Sequence, residues 1–367
     1  MRPALEIVED SGARITSSLV ASRQTQLNAY ITFIRCASSA IYVGLGNNSV
    51  QIFPIPEDSQ DLQDLQEKSL SLIADSTLPL RGLPLCGLNA GNDGLLIGTD
   101  SGQLLQLTGQ LTLLASVDKG WIEQLAIAVN QLRYAYSSGK DVYVRDREHQ
   151  LIFSHSHDQG TLMGLAFNRA GNQLAVAHYN GVTLWDIASG EAVHQLYWPG
   201  AHLSLSWSKD NRFIITTTQD KELHGWDLDT ISDGKPKSIR MCGYPAKIRK
   251  LSWTADGKHL AVAGADSVTV WSFADGDPSG KPPYEFGYVF QGIVTQVAAH
   301  PQQAIIAAGY NNGAILIGKY HSGSAIIARP PCGHFITALS WSIDGNYLYA
   351  GTDSGSFIAI HLLSMAI

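Results

Sequence analysis

The 367-residue chain lacks the features that mark small secreted proteins and membrane proteins. Its four cysteines are widely spaced and form no CxxC pair, which excludes a disulfide scaffold and favours a reducing compartment. No stretch approaches the roughly 18 apolar residues of a membrane span. The first residues also lack the apolar run of a signal peptide. The sequence therefore predicts a cytoplasmic protein without a membrane segment.

Charged residues are scarce as well. They make up 16% of the chain against 45% hydrophobic residues, and the net charge is −7. This balance is typical of a folded, sheet-rich protein, and it argues against non-specific binding to nucleic acid, which needs a basic surface. A basic run with one tyrosine does occur between Lys235 and Lys250. It spans an outer strand, a loop and an inner strand, so we expect its charges to diverge and predict no nucleic-acid partner.

Motifs of known catalytic sites are also missing. The chain has no GxSxG elbow and no HExxH zinc motif, and Gly44-Leu45-Gly46 lacks the third glycine of a dinucleotide loop. The run from Ser154 to Asp158 contains serine, histidine and aspartate. Adjacent residues of a strand point to opposite faces, so this run cannot easily form a triad. We predict no catalytic residues.

What the chain does have is an internal repeat. A strand, a short polar turn, an apolar strand, a tight turn rich in Gly, Asn and Asp, and another strand recur along most of its length. The first apolar residues of the middle strands are Ile41, Leu95, Leu132, Leu174, Phe213, Leu260, Ile305 and Leu348. Most of their spacings fall near the roughly 40–45 residues of a four-stranded propeller repeat.

These repeats resemble the WD40 family. Two copies keep the tryptophan–aspartate pair, at Trp185-Asp186 and Trp226-Asp227. The resemblance implies an all-β fold: one WD40-type β-propeller domain over residues 1–367, with eight blades predicted and seven as the alternative. The last repeat leaves too few residues for an outer strand, so we expect an N-terminal strand around Arg14–Leu19 to complete the last blade.

The fifth repeat matches part of the hydrogen-bond network of the WD40 family. Asp220 and Thr218 precede Trp226 at the family's spacings. The histidine of that network is not clearly placed, because His202 lies too close to the strand. We therefore expect the network to be incomplete in this repeat.

A closer resemblance concerns the stretches Ala175–Trp185, Glu222–Leu228 and Met241–Trp253. They are similar to an uncharacterised WD40 family of the alphaproteobacterial type, whose members are often encoded near zinc-handling GTPases of the CobW type. The resemblance implies a role in zinc homeostasis and a zinc GTPase as a possible partner. The resemblance implies no enzymatic activity.

Residues that could bind zinc are few, and no cofactor is predicted. His155 and His157 share a strand face by spacing, and other candidates fall near loops. Zinc takes three or four nitrogen or sulfur ligands, so a site would have to be assembled between blades. The weak candidates are His155, His157, Cys242, Cys332 and His334.

The most suggestive binding residues fall in loops of the fourth to sixth repeats. In a propeller, the turn between the second and third strands opens on the same face as the link to the next blade. Exposed aromatic side chains beside charged ones are typical of interaction hot spots. The predicted partner-binding residues are Tyr179, Asn180, Trp198, His202, Asp220, Lys221, Tyr244 and Lys247.

The sequence thus favours a non-catalytic scaffold that binds a protein partner through the loops of blades four to six. The alternative is an accessory protein of zinc homeostasis. A propeller hydrolase or lyase is the least favoured hypothesis, because it needs carboxylates converging on a central channel. The inner strands here carry mainly Leu, Ser, Ala and Trp.

Overall fold

The repeats of the sequence fold into antiparallel strands. The structure is a computed structural model, and it describes residues 20–55, 72–91, 94–128, 133–158, 160–232 and 235–362. The chain divides into two compact units. The first unit contains the described residues of Met1–Leu80, Lys250–Ala274 and Pro282–Ile367, and the second contains those of Arg81–Arg249 and Asp275–Lys281. The prediction of one domain over residues 1–367 stays a prediction.

The first unit holds four four-stranded sheets. Its strands are β1 Val20–Gln26, β2 Ile31–Cys36, β3 Ile41–Leu45, β4 Ser49–Phe53, β5 Ser76–Pro79, β20 Leu251–Trp253, β21 His259–Val262, β22 Val268–Ser272, β23 Tyr284–Phe286, β24 Val294–Ala299, β25 Ile306–Tyr310, β26 Ile315–Lys319, β27 Ser324–Arg329, β28 Ile336–Trp341, β29 Tyr347–Thr352 and β30 Ser356–Leu362. The sheets have the orders β2-β3-β4-β5, β20-β21-β22-β23, β24-β25-β26-β27 and β1-β30-β29-β28.

The second unit holds two four-stranded sheets and one six-stranded sheet. Its strands are β6 Pro84–Asn89, β7 Leu95–Thr99, β8 Gln103–Thr108, β9 Gln110–Ser116, β10 Gln124–Ile127, β11 Arg133–Ser138, β12 Asp141–Asp146, β13 Leu151–Ser156, β14 Gly164–Phe167, β15 Gln173–Asp186, β16 Ala192–Trp207, β17 Phe213–Thr218, β18 Leu223–Ser232 and β19 Lys235–Met241. The sheets are β6-β7-β8-β9, β10-β11-β12-β13 and β14-β15-β16-β17-β18-β19.

The all-β class is confirmed, but the predicted count of eight blades is wrong. The strands of the described residues form seven hydrogen-bonded sheets. The reason lies in β16, which the repeat pattern divides into an outer strand, a link and an inner strand. Its first half pairs with β15 and its second half with β17, so the fourth and fifth repeats share one continuous sheet.

An N-terminal strand completes the last sheet, as predicted. It is β1, which pairs antiparallel with β30 from Val20 opposite Leu362 to Gln26 opposite Ser356. The segment Arg14–Leu19 that was expected to form this strand lies outside the described residues. The N-terminal origin of the strand is therefore confirmed, and its described part is Val20–Gln26.

The turns between the first and second strands explain why the repeats fold locally. In four of them a side-chain oxygen at the start of the turn accepts a hydrogen bond from the backbone N–H that opens the second strand. These bonds run from Gln173 to Asn168, from Phe213 to Ser208, from His259 to Thr254 and from Tyr347 to Ser342, at 2.8–3.1 Å. Side chains of this type favour turns because they replace a backbone partner.

Apolar faces of neighbouring sheets form the core within each unit. The second strands β3, β7, β17 and β29 are buried along their whole length. In three sheets a glycine of the second strand, in β7, β25 or β29, faces a residue at the start of the next sheet or on the link just before it. A Cβ at Gly309 would lie 2.5 Å from the Ile336 side chain, and one at Gly351 would lie 2.5 Å from Ile31. At Gly98 it would collide with the Ile122 carbonyl oxygen.

We expect Gly98→Ala to destabilise the protein by about 1–3 kcal/mol, because a backbone carbonyl has to move to admit the methyl group. Urea unfolding followed by circular dichroism measures the change. Gly46→Ala is the matched control: there the three atoms nearest to the Cβ all belong to the ring of Tyr30, a side chain that is 44% exposed and not backbone. Equal losses for both variants would contradict the steric argument.

The two tryptophan–aspartate pairs have different environments. Asp227 is 2% exposed, and Arg212 donates to both of its carboxylate oxygens at 2.9 and 2.7 Å. Asp227 also accepts the backbone N–H of Asp229 at 3.2 Å. Asp186 instead closes a surface turn, where it accepts the N–H and the hydroxyl of Ser189 at 2.8 and 3.0 Å. The same dipeptide therefore stabilises the fold in two ways.

Asp227→Ala is expected to lower the free energy of unfolding by about 2–3 kcal/mol, since it removes charge-assisted hydrogen bonds from a buried carboxylate. Asp186→Ala should cost clearly less, because water replaces the lost partner at the surface. Denaturant midpoints of the two variants and the wild type test the order. The reverse order would show that the buried ion pair does not stabilise the fold.

Candidate functional site

The predicted binding loops do lie together in the second unit. Asn180 adopts a left-handed conformation with φ of 71°, and its side chain accepts the backbone N–H of Gly200 at 3.2 Å. Tyr179 pairs with Ala201, which accepts the N–H of Gln219 at 3.0 Å. Tyr179 and Asn180 lie at a bulge in the middle of β15 and not in a turn. This part of β15 is thereby tied to the middle of β16 and to the turn after β17.

The turn after β17 continues this group of loops. Lys221 is exposed with φ of 61°, and its ammonium group donates to the carbonyl oxygen of Pro245 at 3.0 Å. Asp220 and Lys247 are also exposed. The structure therefore places most of the predicted residues side by side, and binding by them stays a prediction.

Two of the predicted contact residues are not available at this surface. His202 is fully buried and Tyr244 is 8% exposed. His202 lies 2.8 Å from the Thr216 hydroxyl and 3.1 Å from the Trp198 carbonyl oxygen. Burial lowers its pKa, so the ring is neutral, and its Nε2–H donates to the Trp198 carbonyl oxygen. The Thr216 hydroxyl donates its own proton to the His224 carbonyl oxygen at 3.0 Å. His202 and Tyr244 are therefore corrected from exposed contacts to packed residues.

The geometry agrees with the expectation that the hydrogen-bond network of Thr218 is incomplete in this repeat. The histidine bonds a threonine of the second strand, but that residue is Thr216 and not Thr218. Thr218 instead donates to the carbonyl oxygen of Glu222 at 3.0 Å. His202 lies on β16 itself, as close to the strand as the spacing indicated.

Trp198 is half-buried and packs onto the sheet. Its ring stacks on His224 with centroids 3.8 Å apart and planes 18° apart. His224 is fully buried, and neither of its ring nitrogens has a hydrogen-bond partner among the described residues. Burial lowers the pKa of His224 to about 3. One face of Trp198 thus covers a neutral imidazole, and the indole is a packing residue as well as a surface one.

Two aromatic side chains that the sequence reasoning missed are exposed in the same unit. Trp121, on the link between β9 and β10, is 58% exposed, and Tyr197, near the bulge at Asn180, is 69% exposed. Tyr179 was predicted and is 53% exposed. Trp121 borders a cavity of about 210 Å³ together with Gly139 and Leu162. The composition of the chain does not indicate that Trp121 is exposed. Its position on the link between two repeats does indicate it.

A second cavity, of about 300 Å³, lies between β13 and the β15–β16 hairpin. Its lining includes His155, His157, Asp158, His178, Trp185 and Tyr197. The ring of His157 lies 4.9 Å from that of His155 and 5.0 Å from that of His178. Both nitrogens of His178 are engaged, by Tyr179 O at 2.7 Å and Thr183 Oγ1 at 2.9 Å.

Two imidazoles of this cavity, those of His157 and His178, are held in the neutral form. Burial lowers the pKa of His157 to about 4, and the neighbouring His178 and His155 add to the effect. Burial also lowers the pKa of His178. Asp158 is exposed and only partly offsets the shift of His157.

The predicted metal candidates lie apart from one another in the described residues, except that His155 neighbours His157 and Cys332 neighbours His334. Among the residues that the structure describes, no group of three His, Cys, Asp or Glu side chains is placed to hold a metal ion. Cys242 and Cys332 are exposed thiols. His334 lies 3.5 Å from the carboxylate of Asp353 and shares no ligand set with a third residue. Zinc binding therefore stays a prediction.

The described part of the chain contains no helix with the length and apolarity needed to cross a membrane.

Comparison with known proteins supports the WD40 resemblance. The family described as "WD domain, G-beta repeat" matches residues 329–358 of the first unit. A solved structure described as "the computationally designed Ika8 protein" has a TM-score of 0.71 and 16% sequence identity, covering 92% of this chain and 97% of that one. At this identity the likeness shows the fold alone.

Several curated proteins are similar in sequence. "Serine-threonine kinase receptor-associated protein" of Mus musculus is 22% identical over 235 residues, 54% of this chain and 66% of that protein. "Protein ROOT INITIATION DEFECTIVE 3" of Arabidopsis thaliana is 22% identical over 213 residues, 53% and 47% of the two chains. "Protein HIR1" of Cryptococcus neoformans is 26% identical over 170 residues, 41% and 19%. The matches span 66% or less of these relatives. The bacterial family associated with zinc GTPases is not shown by these comparisons.

We expect the protein to lose stability as the pH falls from about 6.5 towards about 4, because His157 binds a proton in the unfolded chain but not in the folded one. The unfolded state then holds more protons, so the free energy of unfolding decreases with falling pH. His157 alone contributes on the order of 3 kcal/mol over this range. Urea unfolding at several pH values measures the slope.

His157→Gln should flatten this slope, whereas His334→Gln, at an exposed position, should leave it unchanged. An unaltered slope in His157→Gln would show that this imidazole titrates freely in the folded protein.

Proposed function

We propose that this chain is a non-catalytic scaffold that binds a protein partner through one loop surface of its second unit. The surface, called here the loop face, consists of Trp121, Tyr179–Asn180, Trp198, Asp220–Lys221 and Lys247. The observation that carries the proposal is the exposure of Trp121, on the link between β9 and β10, and of Tyr179, at the bulge in the middle of β15.

The physical argument rests on the cost of exposing aromatic rings. Trp and Tyr bring a large apolar area and one polar group, and few rotatable bonds are lost when they bind. Trp121, Tyr179 and Tyr197 are each more than half exposed in a unit whose other tryptophans are buried or half-buried. Asp220, Lys221 and Lys247 supply charges beside them, as at the rim of an interface.

Continuity of the loop face supports the same conclusion. The backbone N–H of Leu162 donates to the Gly139 carbonyl oxygen, and Leu162 and Trp121 line one cavity. A Cβ at Gly160 would contact the Tyr179 side chain. Successive links of the second unit are thus in contact from Trp121 to Tyr179, which gives a partner a surface of several adjacent loops.

The relatives support the class of function. WD40 proteins are generally non-catalytic, and the mouse relative is by name associated with a receptor. We extend only the scaffold role to this chain, with a protein as the partner. A cytoplasmic location belongs to the same proposal. Whether the partner is a zinc GTPase is decided by the experiment below and not by any residue described here.

The test is a pull-down of the tagged protein from its own host, read by mass spectrometry, with and without a zinc chelator. A partner recovered in near-equal amount to the bait supports the scaffold proposal. Recovery that survives chelation favours a metal-independent contact, and recovery lost on chelation favours the zinc alternative. Absence of any enriched protein in either condition contradicts both.

Tyr179→Ala and Trp121→Ala should each weaken the recovered complex by about 30-fold, the loss typical of a hot-spot side chain. Surface plasmon resonance with the purified partner gives the affinities. Leu113→Ala is the matched control: Leu113 is 54% exposed in the same unit, but on the outer strand β9 and not on a loop. A complex that loses affinity with Leu113→Ala and keeps it with Tyr179→Ala would place the interface on the outer strands.

A further inference from the structure

The cavity between β13 and the β15–β16 hairpin has a feature that the scaffold role does not use. Two polar nitrogens in its lining residues have no hydrogen-bond partner among the described residues: Nε1 of Trp185 and Nε2 of His157. Both side chains are 7% exposed. Buried polar atoms are nearly always paired, so two orphans beside one cavity call for an explanation.

The orphan nitrogens define which chemistry fits. An indole N–H donates and cannot accept, so Trp185 requires an acceptor atom. His157 is free to present an N–H at Nε2, because no described residue competes for that atom. The Trp185 and His157 rings lie 5.8 Å apart, centroid to centroid, so the two oxygens of one carboxylate can serve both nitrogens once the side chains turn towards it. A charged oxygen does so best, because hydrogen bonds to a carboxylate are shorter and stronger than neutral ones.

The rest of the wall agrees with a compact polar ligand. Asn180, Thr183 and Gln195 add side chains that both donate and accept, while Val182 and Leu196 close the cavity with apolar groups. A volume of about 300 Å³ accommodates a small organic acid or one acidic side chain.

We propose that this cavity binds a carboxylate group, which accepts hydrogen bonds from Trp185 Nε1 and His157 Nε2. The carboxylate comes either from a small organic acid or from a glutamate or aspartate side chain of a bound protein. The site is separate from the aromatic contacts of the loop face, although Asn180 and Tyr197 border both. It therefore stands or falls independently of the scaffold proposal.

Asp158 provides the sharpest test of the sign of the ligand's charge. Its exposed carboxylate lines the same cavity and repels an anion but attracts a cation. Asp158→Asn removes the charge without removing volume, and its exposed position keeps the cost to folding small. An anionic ligand should bind this variant about threefold more tightly, as expected for one partly screened charge. A cationic ligand would bind it more weakly.

The first experiment titrates the full chain with succinate near neutral pH and follows the histidine Cε1–H resonances by NMR, assigned with His155→Gln and His157→Gln. We expect saturable shifts of His155 and His157. Succinamide, which has the same shape without charge, should not produce them. An end-blocked Gly-Gly-Glu-Gly-Gly peptide and its Gln counterpart form the second arm. Binding of succinate indicates a free acid, and binding of the Glu peptide alone indicates a protein side chain.

Trp185→Phe keeps an aromatic ring and removes the donor. Its affinity for the carboxylate that binds should fall about tenfold, the loss expected for one hydrogen bond to a charged group. A thermal unfolding curve confirms that the variant is folded, and His334→Gln is the control that should bind as the wild type does. The proposal is overturned if neither succinate nor the Glu peptide binds, if succinamide binds equally, or if Asp158→Asn weakens binding.

Discussion

The close approach of neighbouring sheets is the constraint on which the rest of each unit depends. Buried second strands leave no room for a side chain where the next sheet begins, and Gly98, Gly309 and Gly351 meet this condition. Protein interiors are packed at crystal density, so a displaced sheet would open voids along a whole face. The same packing fixes the ends of the strands, and with them the loops that carry Trp121 and Tyr179.

Local sequence patterns predicted the strands well, because each strand is determined by residues only a few positions apart in the sequence. Alternating apolar residues, residues such as Asn180 that accept a left-handed backbone, and polar residues at the start of hairpins act over a few positions. The number of sheets depends instead on whether the link between two repeats interrupts the hydrogen bonding between strands. In β16 the link from Trp198 to Ala201 continues as strand, so two repeats joined where the pattern predicted a boundary.

The candidate site was only partly predictable for a related reason. Sequence spacing placed the loops together but could not show which side chains turn inward. By pattern, His202 and Tyr244 are loop or strand-end residues. In the structure both side chains are buried, and His202 is hydrogen-bonded to Thr216. The histidine cavity combines residues from β13, β15 and β16, whose contact appears only once two sheets have packed.

The pairing of β1 with β30 has a consequence for how the chain folds. The side chains of Gln26 and Ser356 are in hydrogen-bond contact although they are 330 positions apart in sequence. Most of the other described strands pair with a neighbour that leaves the ribosome within seconds, but β1 has to wait until the segment that separates it from β30, on the order of 330 residues, has been synthesised. Pairings of such sequence separation form slowly and leave a strand edge open to wrong partners meanwhile. During synthesis, the last sheet is therefore the segment most in need of chaperone protection.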